Sequence, residues 1–208
     1  MIKNLLQNYI KDYKITLTEN QYEQFQKYFE LLAEWNEKMN LTAITDESGV
    51  ALKHFADSLS LLNFVDIPQN SSLADVGTGA GFPGVVLKIA RPDIKLTLID
   101  SLNKRLVFLG EVCAQLGIEA ELIHSRAEDG ARDEKLRESF DFAVSRAVAR
   151  MNVLSEYCLP YVKVGGAFCA MKGAQANEEF KESLNAINTL GGKLCLLYTS
   201  PSPRDGLL

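Results

Sequence analysis

The run Ala74-Asp75-Val76-Gly77-Thr78-Gly79-Ala80-Gly81-Phe82-Pro83-Gly84 restricts the fold more than any other stretch of the chain. An apolar strand, a glycine turn and an apolar helix follow one another there without a gap. Glycine admits positive φ and close approach of a ligand to the main chain. The helix after the turn directs free N–H groups and the positive end of its dipole at that ligand. A nucleotide-like ligand on an α/β sheet is therefore expected, and a glycine turn with no ligand is the bland alternative.

The glycines can be read in two registers. Gly79-x-Gly81-x-x-Gly84 has the form of the dinucleotide fingerprint, whereas Asp75-x-Gly77-x-Gly79-x-Gly81 resembles motif I of methyltransferases that use S-adenosylmethionine (SAM). Asp75 favours the second. A carboxylate two residues before the first glycine would repel a pyrophosphate but suits the ammonium and sulfonium groups of SAM.

At 208 residues and 47% hydrophobic content, the chain suits one α/β domain with a modest appendage. A formal net charge of -5 argues against non-specific coating of nucleic acid, although a local basic patch can coexist with an acidic total. Cys113, Cys158, Cys169 and Cys195 show no C-x-x-C spacing, and only His54 and His124 could join them as imidazole ligands. Four buried thiols and no metal are expected. The amino terminus leads into an amphipathic stretch rather than a signal core, and no apolar run reaches the roughly eighteen residues of a membrane span. A cytoplasmic monomer is expected.

Leu5, Leu6, Tyr9, Ile10 and Tyr13 recur at helical spacing, and Thr18-Glu19-Asn20-Gln21 has the form of a capping box opening a long helix. The apolar stripe of that helix runs through Tyr22, Phe25, Phe29, Leu32, Trp35 and Met39. Asn40 to Thr45 reads as a short polar link. A third helix from about Ser48 carries His54 and Asp57 three apart, either a substrate contact or a hydrogen-bonded structural pair. These helices form an N-terminal extension, 1–66, packed on a core, 67–198, whose alternating apolar runs and amphipathic helices predict a parallel sheet covered on both faces. Strands are expected at Ser72–Val76, Lys95–Asp100, Ala120–His124, Phe140–Ser145, Ala167–Met171 and Lys193–Tyr198, and further helices at Lys104–Gln115, Val153–Tyr161 and Asn177–Leu190. Gly165-Gly166 and Gly191-Gly192 read as turns.

Ligands in open α/β sheets bind at the carboxyl ends of the strands, where strand order reverses. Asp100, nineteen residues after Gly81, stands where an acidic residue accepts hydrogen bonds from both hydroxyls of a ribose; capping the next helix is its alternative role. Ser125-Arg126-Ala127-Glu128 follows the third strand and would lie over an adenine. Ser145-Arg146-Ala147 follows the fourth strand and Met171-Lys172-Gly173 ends the fifth. Arg126, Arg146 and Lys172, joined by Arg150, are thus expected to converge on the cleft; dispersed surface cations are the alternative.

Asn40-Leu41-Thr42, His54-x-x-Asp57-Ser58-Leu59, the glycine run, Asp100-Ser101, Lys104-Arg105, Ser125-Arg126-Ala127-Glu128, Ser145-Arg146-Ala147 and Lys172-Gly173, in this order, resemble the RsmG (GidB) family of bacterial 16S ribosomal RNA (guanine-N7)-methyltransferases. The resemblance runs from residue 1 to about Leu194. It implies a class I SAM-dependent methyltransferase fold (Rossmann-like α/β) with a helical extension, and SAM as donor with S-adenosyl-L-homocysteine as product. The implied target is the guanosine of the 530 loop, position 527 of 16S rRNA, in naked RNA or a 30S subunit assembly intermediate. The family's SAM contacts fall on Gly77, Phe82, Ala127, Glu128 and Arg146. Asp75, Gly79, Gly81 and Asp100 are further cofactor candidates, and Arg146, Lys172, His54 and Arg126 are candidates to orient the substrate. Guanine N7 is an acceptor with no proton to lose, so no general base is required. A nicotinamide oxidoreductase, a small-molecule SAM methyltransferase and a non-catalytic SAM- or RNA-binding module remain as rivals.

From Leu197 the chain stops resembling the family. A sheet of this class ends with a sixth strand and an antiparallel seventh, and relatives follow it with a basic segment. Here Pro201 and Pro203 cannot donate to a ladder and only five residues follow Pro203. A truncated chain with a non-native tail, 199–208, is expected, with the last strand missing. Either Ala167–Met171 then lacks its usual neighbour or Lys193–Tyr198 slips into the vacancy, leaving an exposed edge and weaker RNA binding.

Overall fold

The computed structural model describes residues 1–146, 148–173 and 175–197. Five parallel strands, β1 Ser72–Val76, β2 Lys95–Asp100, β3 Ala120–His124, β4 Phe140–Arg146 and β5 Val162–Met171, form one sheet in the order β3-β2-β1-β4-β5. Parallel neighbours require crossover connections. Helices α5 Gly84–Ala90, α6 Asn103–Leu116, α7 Ala127–Gly130 and α8 Met151–Cys158 lie in them, and α9 Ala176–Thr189 follows β5. The chain winds outward from β1 to β3 and then returns to the other side of β1, so strand order reverses between β1 and β4. A crevice opens at such a point because the connections leave in opposite directions.

Alternate residues of each strand face opposite sides of the sheet. Leu73, Leu96, Leu98, Phe142 and Val144 enter one apolar core; Ala74, Val76, Ile99 and Ala143 enter the other. The first core continues without a break into the N-terminal helices α1 Ile2–Tyr9 and α2 Glu19–Met39, through Ile2, Leu6, Phe25, Tyr28 and Leu32. These helices are one of the layers that cover the sheet.

The capping box at α2 forms as its sequence requires. Gln21 N–H donates to Thr18 Oγ1 at 3.3 Å, and Thr18 N–H donates to Gln21 Oε1 at 2.8 Å. Gln21 is nevertheless buried, because its Nε2 reaches the carbonyls of Ile89 (2.7 Å) and Ala90 (3.1 Å) at the end of α5. One residue thereby starts a helix and fastens it to the sheet layer. The third helix is irregular: α3 Glu47–Val50 passes into a π-helical segment, Ala51–Ala56, then α4 Asp57–Ser60 and a 3₁₀ turn, Leu61–Asn63. Such widened turns recur at functional sites, and this one carries His54.

Several expectations need correction. Gly165-Gly166 is not a turn before the fifth strand; β5 runs through it, and its register against β4 shifts between Phe140 and Phe142. Gly166 lies so close to Asp141 O that an added Cβ would stand 2.5 Å away. Residues 193–197 form no strand, and Leu194, Leu196 and Leu197 stand exposed instead of covering a sheet face. Tyr198 and the tail 199–208 lie outside the described residues. Among the described residues, β5 pairs with β4 alone. Two of the four thiols, Cys113 and Cys158, are buried, whereas Cys169 is half-buried and Cys195 exposed. Among the described residues no group of His, Cys, Asp or Glu could hold a metal, and no helix is long and apolar enough to cross a membrane.

The glycine turn is locked from the N-terminal layer. Tyr28, fully buried on α2, donates its hydroxyl to Ala80 O at 2.5 Å. Gly81, at φ +95°, lies directly beneath: an added Cβ would collide with the Tyr28 hydroxyl and stand 2.8 Å from carbons of Leu109 and Val85. Gly81→Ala combines backbone strain with overpacking and is expected to lower stability by on the order of 3 kcal/mol in urea unfolding. Gly117 shares a positive φ of +63° but would meet nothing within 4 Å. Gly117→Ala is expected to lose only about 1 kcal/mol. Equal losses would show that the Tyr28 contact contributes nothing.

Candidate active site

A cleft of about 600 Å³ lies at the carboxyl ends of β1, β2 and β4, within the range of cofactor sites. The β1 turn supplies Gly77, Thr78, Gly79, Ala80 and Phe82. Toward β2 and β3 stand Asp100, Ser101, Arg105, Ser125, Arg126, Ala127 and Glu128. Toward β4 stand Arg146 and Val148, with Tyr157 of α8, and the extension contributes Leu41, Thr42 and His54.

Asp100 is 2% exposed at the end of β2. Its Oδ2 accepts from Gly79 N–H (2.9 Å) and from the Arg105 guanidinium (3.3 Å), and its Oδ1 accepts from Leu102 N–H (2.9 Å). The carboxylate therefore both holds the turn ahead of α6 and lines the cleft; it does not cap α6, whose N-cap is Leu102 with no side-chain cap. Gly79 lines the same space, and a Cβ added there would have no atom nearer than Gly77 O at 4.0 Å. These residues fit a nucleoside: a carboxylate for a diol, an unobstructed main-chain turn, and the Ala127-Glu128 segment farther along.

Asp75 does not reach the cleft, which corrects its expected role beside a cofactor cation. It is fully buried under the turn, where its Oδ2 accepts from Thr78 Oγ1 and from Gly84 N–H, each at 2.8 Å. The carboxylate thus accepts the first N–H of α5, so that donor is already satisfied from within the protein. Gly81 also lies outside the cleft lining, pressed against Tyr28.

The cations are gathered only in part. Arg126, its side chain 74% exposed, stands on the rim. Lys172 is withdrawn from the cleft, because its Nζ donates to Ala149 O at 2.5 Å and pairs with Glu179 at 2.7 Å. Arg150 likewise leaves the site and pairs with Glu182 at 2.7 Å. Arg146 lines the cleft, but its side chain is 8% exposed and turned into the extension. Its Nη1 donates to Asp57 Oδ2 (2.9 Å) and Lys53 O (3.1 Å), and Nη2 lies 3.2 Å from His54 Nδ1. The guanidinium also stands 5.1 Å from the centre of the Phe82 ring. His54 stacks on that ring at 4.5 Å and reaches Thr42 Oγ1 through Nε2 at 2.8 Å. Arg146 is therefore the joint between β4 and the extension, and His54 and Asp57 both meet it.

Leu41 and Thr42 belong to a motif of the family resemblance but had no assigned place in the site, and Val148 and Tyr157 belong to no motif. Arg105 was visible as part of a motif but had no assigned place. Its signal was a cation five residues after an acidic strand end.

The profile of one family, rRNA small subunit methyltransferase G, matches residues 21–200. The chain belongs to the GidB family. It is 54% identical over 192 residues to Ribosomal RNA small subunit methyltransferase G of Clostridium beijerinckii, covering 92% of this chain and 80% of the relative. The protein of the same name from Clostridium perfringens (strain 13) is 55% identical over 177 residues, covering 85% and 74%. Among solved structures, a SAM-dependent O-methyltransferase from Thermotoga maritima superposes with a TM-score of 0.53 at 17% identity, covering 76% of this chain and 55% of that one. A SAM-dependent methyltransferase from Aquifex aeolicus gives 0.52 at 20% identity, covering 73% and 86%. These two share the fold of the GidB chain.

Two outcomes follow from the geometry of this GidB protein. Burial pushes the Asp75 carboxyl up to about 6, against the opposing hydrogen bonds of Thr78 and Gly84, and its Oδ1 has no hydrogen-bond partner. The native state thus holds this proton more tightly than the unfolded chain. The group's contribution to stability is complete below about pH 4 and is lost as pH rises through 6, a penalty of about 3 kcal/mol at neutral pH. Asp75→Asn removes the titration, so the melting temperature of the variant minus that of the wild type is expected to rise between pH 4 and 7. A constant difference would contradict a costly buried charge.

Second, Arg146→Ala removes the Asp57 carboxylate's ion pair and is expected to lower stability by about 3 kcal/mol. Arg146 thus has a structural role in addition to its place on the cleft wall. Adding Asp57→Ala should recover at least about 1 kcal/mol in a double-mutant cycle of urea unfolding. Strict additivity would refute the joint.

Proposed function

We propose that the cleft binds SAM and that the protein transfers its methyl group to N7 of a guanine in small-subunit ribosomal RNA, at position 527 in the 530 loop. Membership in the GidB family supports the reaction class. The carrying observation is that one cleft joins the Asp100 carboxylate and the glycine turn to a rim bearing the exposed Arg126. Bound there, SAM supplies an electrophilic methyl group on a positively charged sulfur.

The protein's part is binding and alignment. Asp100 accepts the ribose hydroxyls, the Gly77 to Gly79 main chain admits the donor closely, and Ala127 and Glu128 hold the adenine. No side chain needs to take a proton, because guanine N7 presents a lone pair and not an N–H. Holding acceptor and methyl carbon in line at about 3–3.5 Å is then the main demand on the site. Phe82, His54, Thr42 and Arg146 form a preset wall, and Arg126 offers a phosphate contact. The reading implies a monomer acting in the cytoplasm on 16S rRNA or a 30S assembly intermediate. A small-molecule methyltransferase would instead want a closed, mostly apolar acceptor pocket.

Radiolabelled SAM offered separately to deproteinised rRNA, to 30S particles lacking the modification and to a metabolite pool tests this reading. Label is expected in 16S rRNA or 30S particles, recovered after digestion as 7-methylguanosine. Label in a small metabolite, at another base, or nowhere would overturn the assignment.

A further inference from the structure

An ionised carboxylate offers about four lone-pair sites. Asp100 already accepts three donors, the N–H groups of Gly79 and Leu102 and the guanidinium of Arg105. The two main-chain donors are built into the β1 turn and the turn ahead of α6, so they stay. A ribose diol brings two O–H donors, one more than the carboxylate can accept while Arg105 remains. Arg105 is the one partner free to leave: its side chain is 36% exposed, its bond is the longest of the three at 3.3 Å, and it swings from the first turn of α6.

We infer that Arg105 is a displaceable cap on the diol site, and that nucleoside binding at Asp100 releases its guanidinium to the rim, where it joins Arg126 as a contact for an RNA phosphate. This rests on the reading of Asp100 as the ribose acceptor. The carboxylate is buried and must stay satisfied, but the part-exposed guanidinium makes its longest contact, and two hydroxyl donors can replace that contact without leaving the charge unpaired. The released cation is worth more against a phosphate, with which a guanidinium can pair bidentately. Cofactor and RNA are thereby linked: occupancy of the diol site strengthens RNA binding, and by reciprocity RNA strengthens cofactor binding. The net acidic chain keeps one of its few cleft cations neutralised until the donor is present.

The test uses the full chain, with calorimetry for SAM and S-adenosyl-L-homocysteine and fluorescence anisotropy for a short RNA hairpin with an unpaired guanine in its loop. The homocysteine product is used as the linked ligand because it lacks the sulfonium charge, which would itself attract RNA. In the wild type, saturating product should tighten hairpin binding by about five-fold or more and steepen the dependence of log Kd on log salt by about one phosphate contact. Arg105→Ala should bind SAM about two- to five-fold tighter, because the competitor is gone, and its hairpin affinity and salt slope should no longer respond to the product. Arg105→Lys, which keeps the charge, should restore most of that response. The substitution lies at a half-exposed helical position, and a melting curve checks that the fold is intact. Unchanged or weaker SAM binding in Arg105→Ala overturns the cap, and a product-independent wild type overturns the linkage. Asp100→Ala is the separate control: it should weaken SAM binding about ten-fold or more. If it does not, the ribose reading fails, whereas a loss there with no gain in Arg105→Ala refutes the cap alone.

Discussion

Much of this molecule depends on a charge placed where water cannot reach it. Asp75 sits beneath the glycine turn and accepts from Thr78 Oγ1 and Gly84 N–H, so one oxygen ties the end of β1, the turn and the start of α5 into a single rigid corner. From the other side Tyr28 holds the same turn through Ala80 O. Ionising a buried carboxylate is unfavourable, but the corner it fixes keeps Gly79 open to the cleft, with Val148 packed over Gly77. It also satisfies the first N–H of α5 from within the protein.

The N-terminal helices complete the site as well as the core. Gln21, Gln24 and Tyr28 on α2 each donate to main-chain carbonyls of the core domain, at Ile89 near the end of α5, Leu116 at the end of α6 and Ala80 in the glycine turn. Arg146 reaches back from β4 to Asp57, Lys53 and His54. Between these fastenings the π-helical segment presents His54 flat against Phe82. One wall of the cleft therefore comes from residues more than ninety positions away from Arg146 in the chain. Loss of the extension would expose the first core and open the cleft together.

The distribution of cations explains how a chain of net charge -5 can face a polyanion. Lys172 and Arg150 are neutralised by Glu179 and Glu182 away from the cleft, and Arg146 by Asp57 within it. Arg126 stands on the rim with only a 3.9 Å approach to Glu128, and Arg105 leans on Asp100. Most of the positive charge near the site thus serves the fold, and what faces solvent is local.

Local sequence pattern was enough to locate the strands β1 to β4, the parallel sheet they form, the capping box at Thr18 and the presence of Asp100, Ala127 and Glu128 at the cleft. Each of these rests on information local in the chain: a short continuous apolar run, a four-residue capping pattern, or a strand end whose position the topology prescribes. Tertiary structure alone decided the direction in which long side chains turn. Lys172, Arg146 and Asp75 all sit at strand ends, yet one turns to Glu179, one into the extension and one under the turn. Those choices depend on partners distant in sequence and on desolvation, and neither leaves a trace in local spacing. The same holds for Thr42 and Tyr157, which reach the cleft only because the layers that carry them pack there.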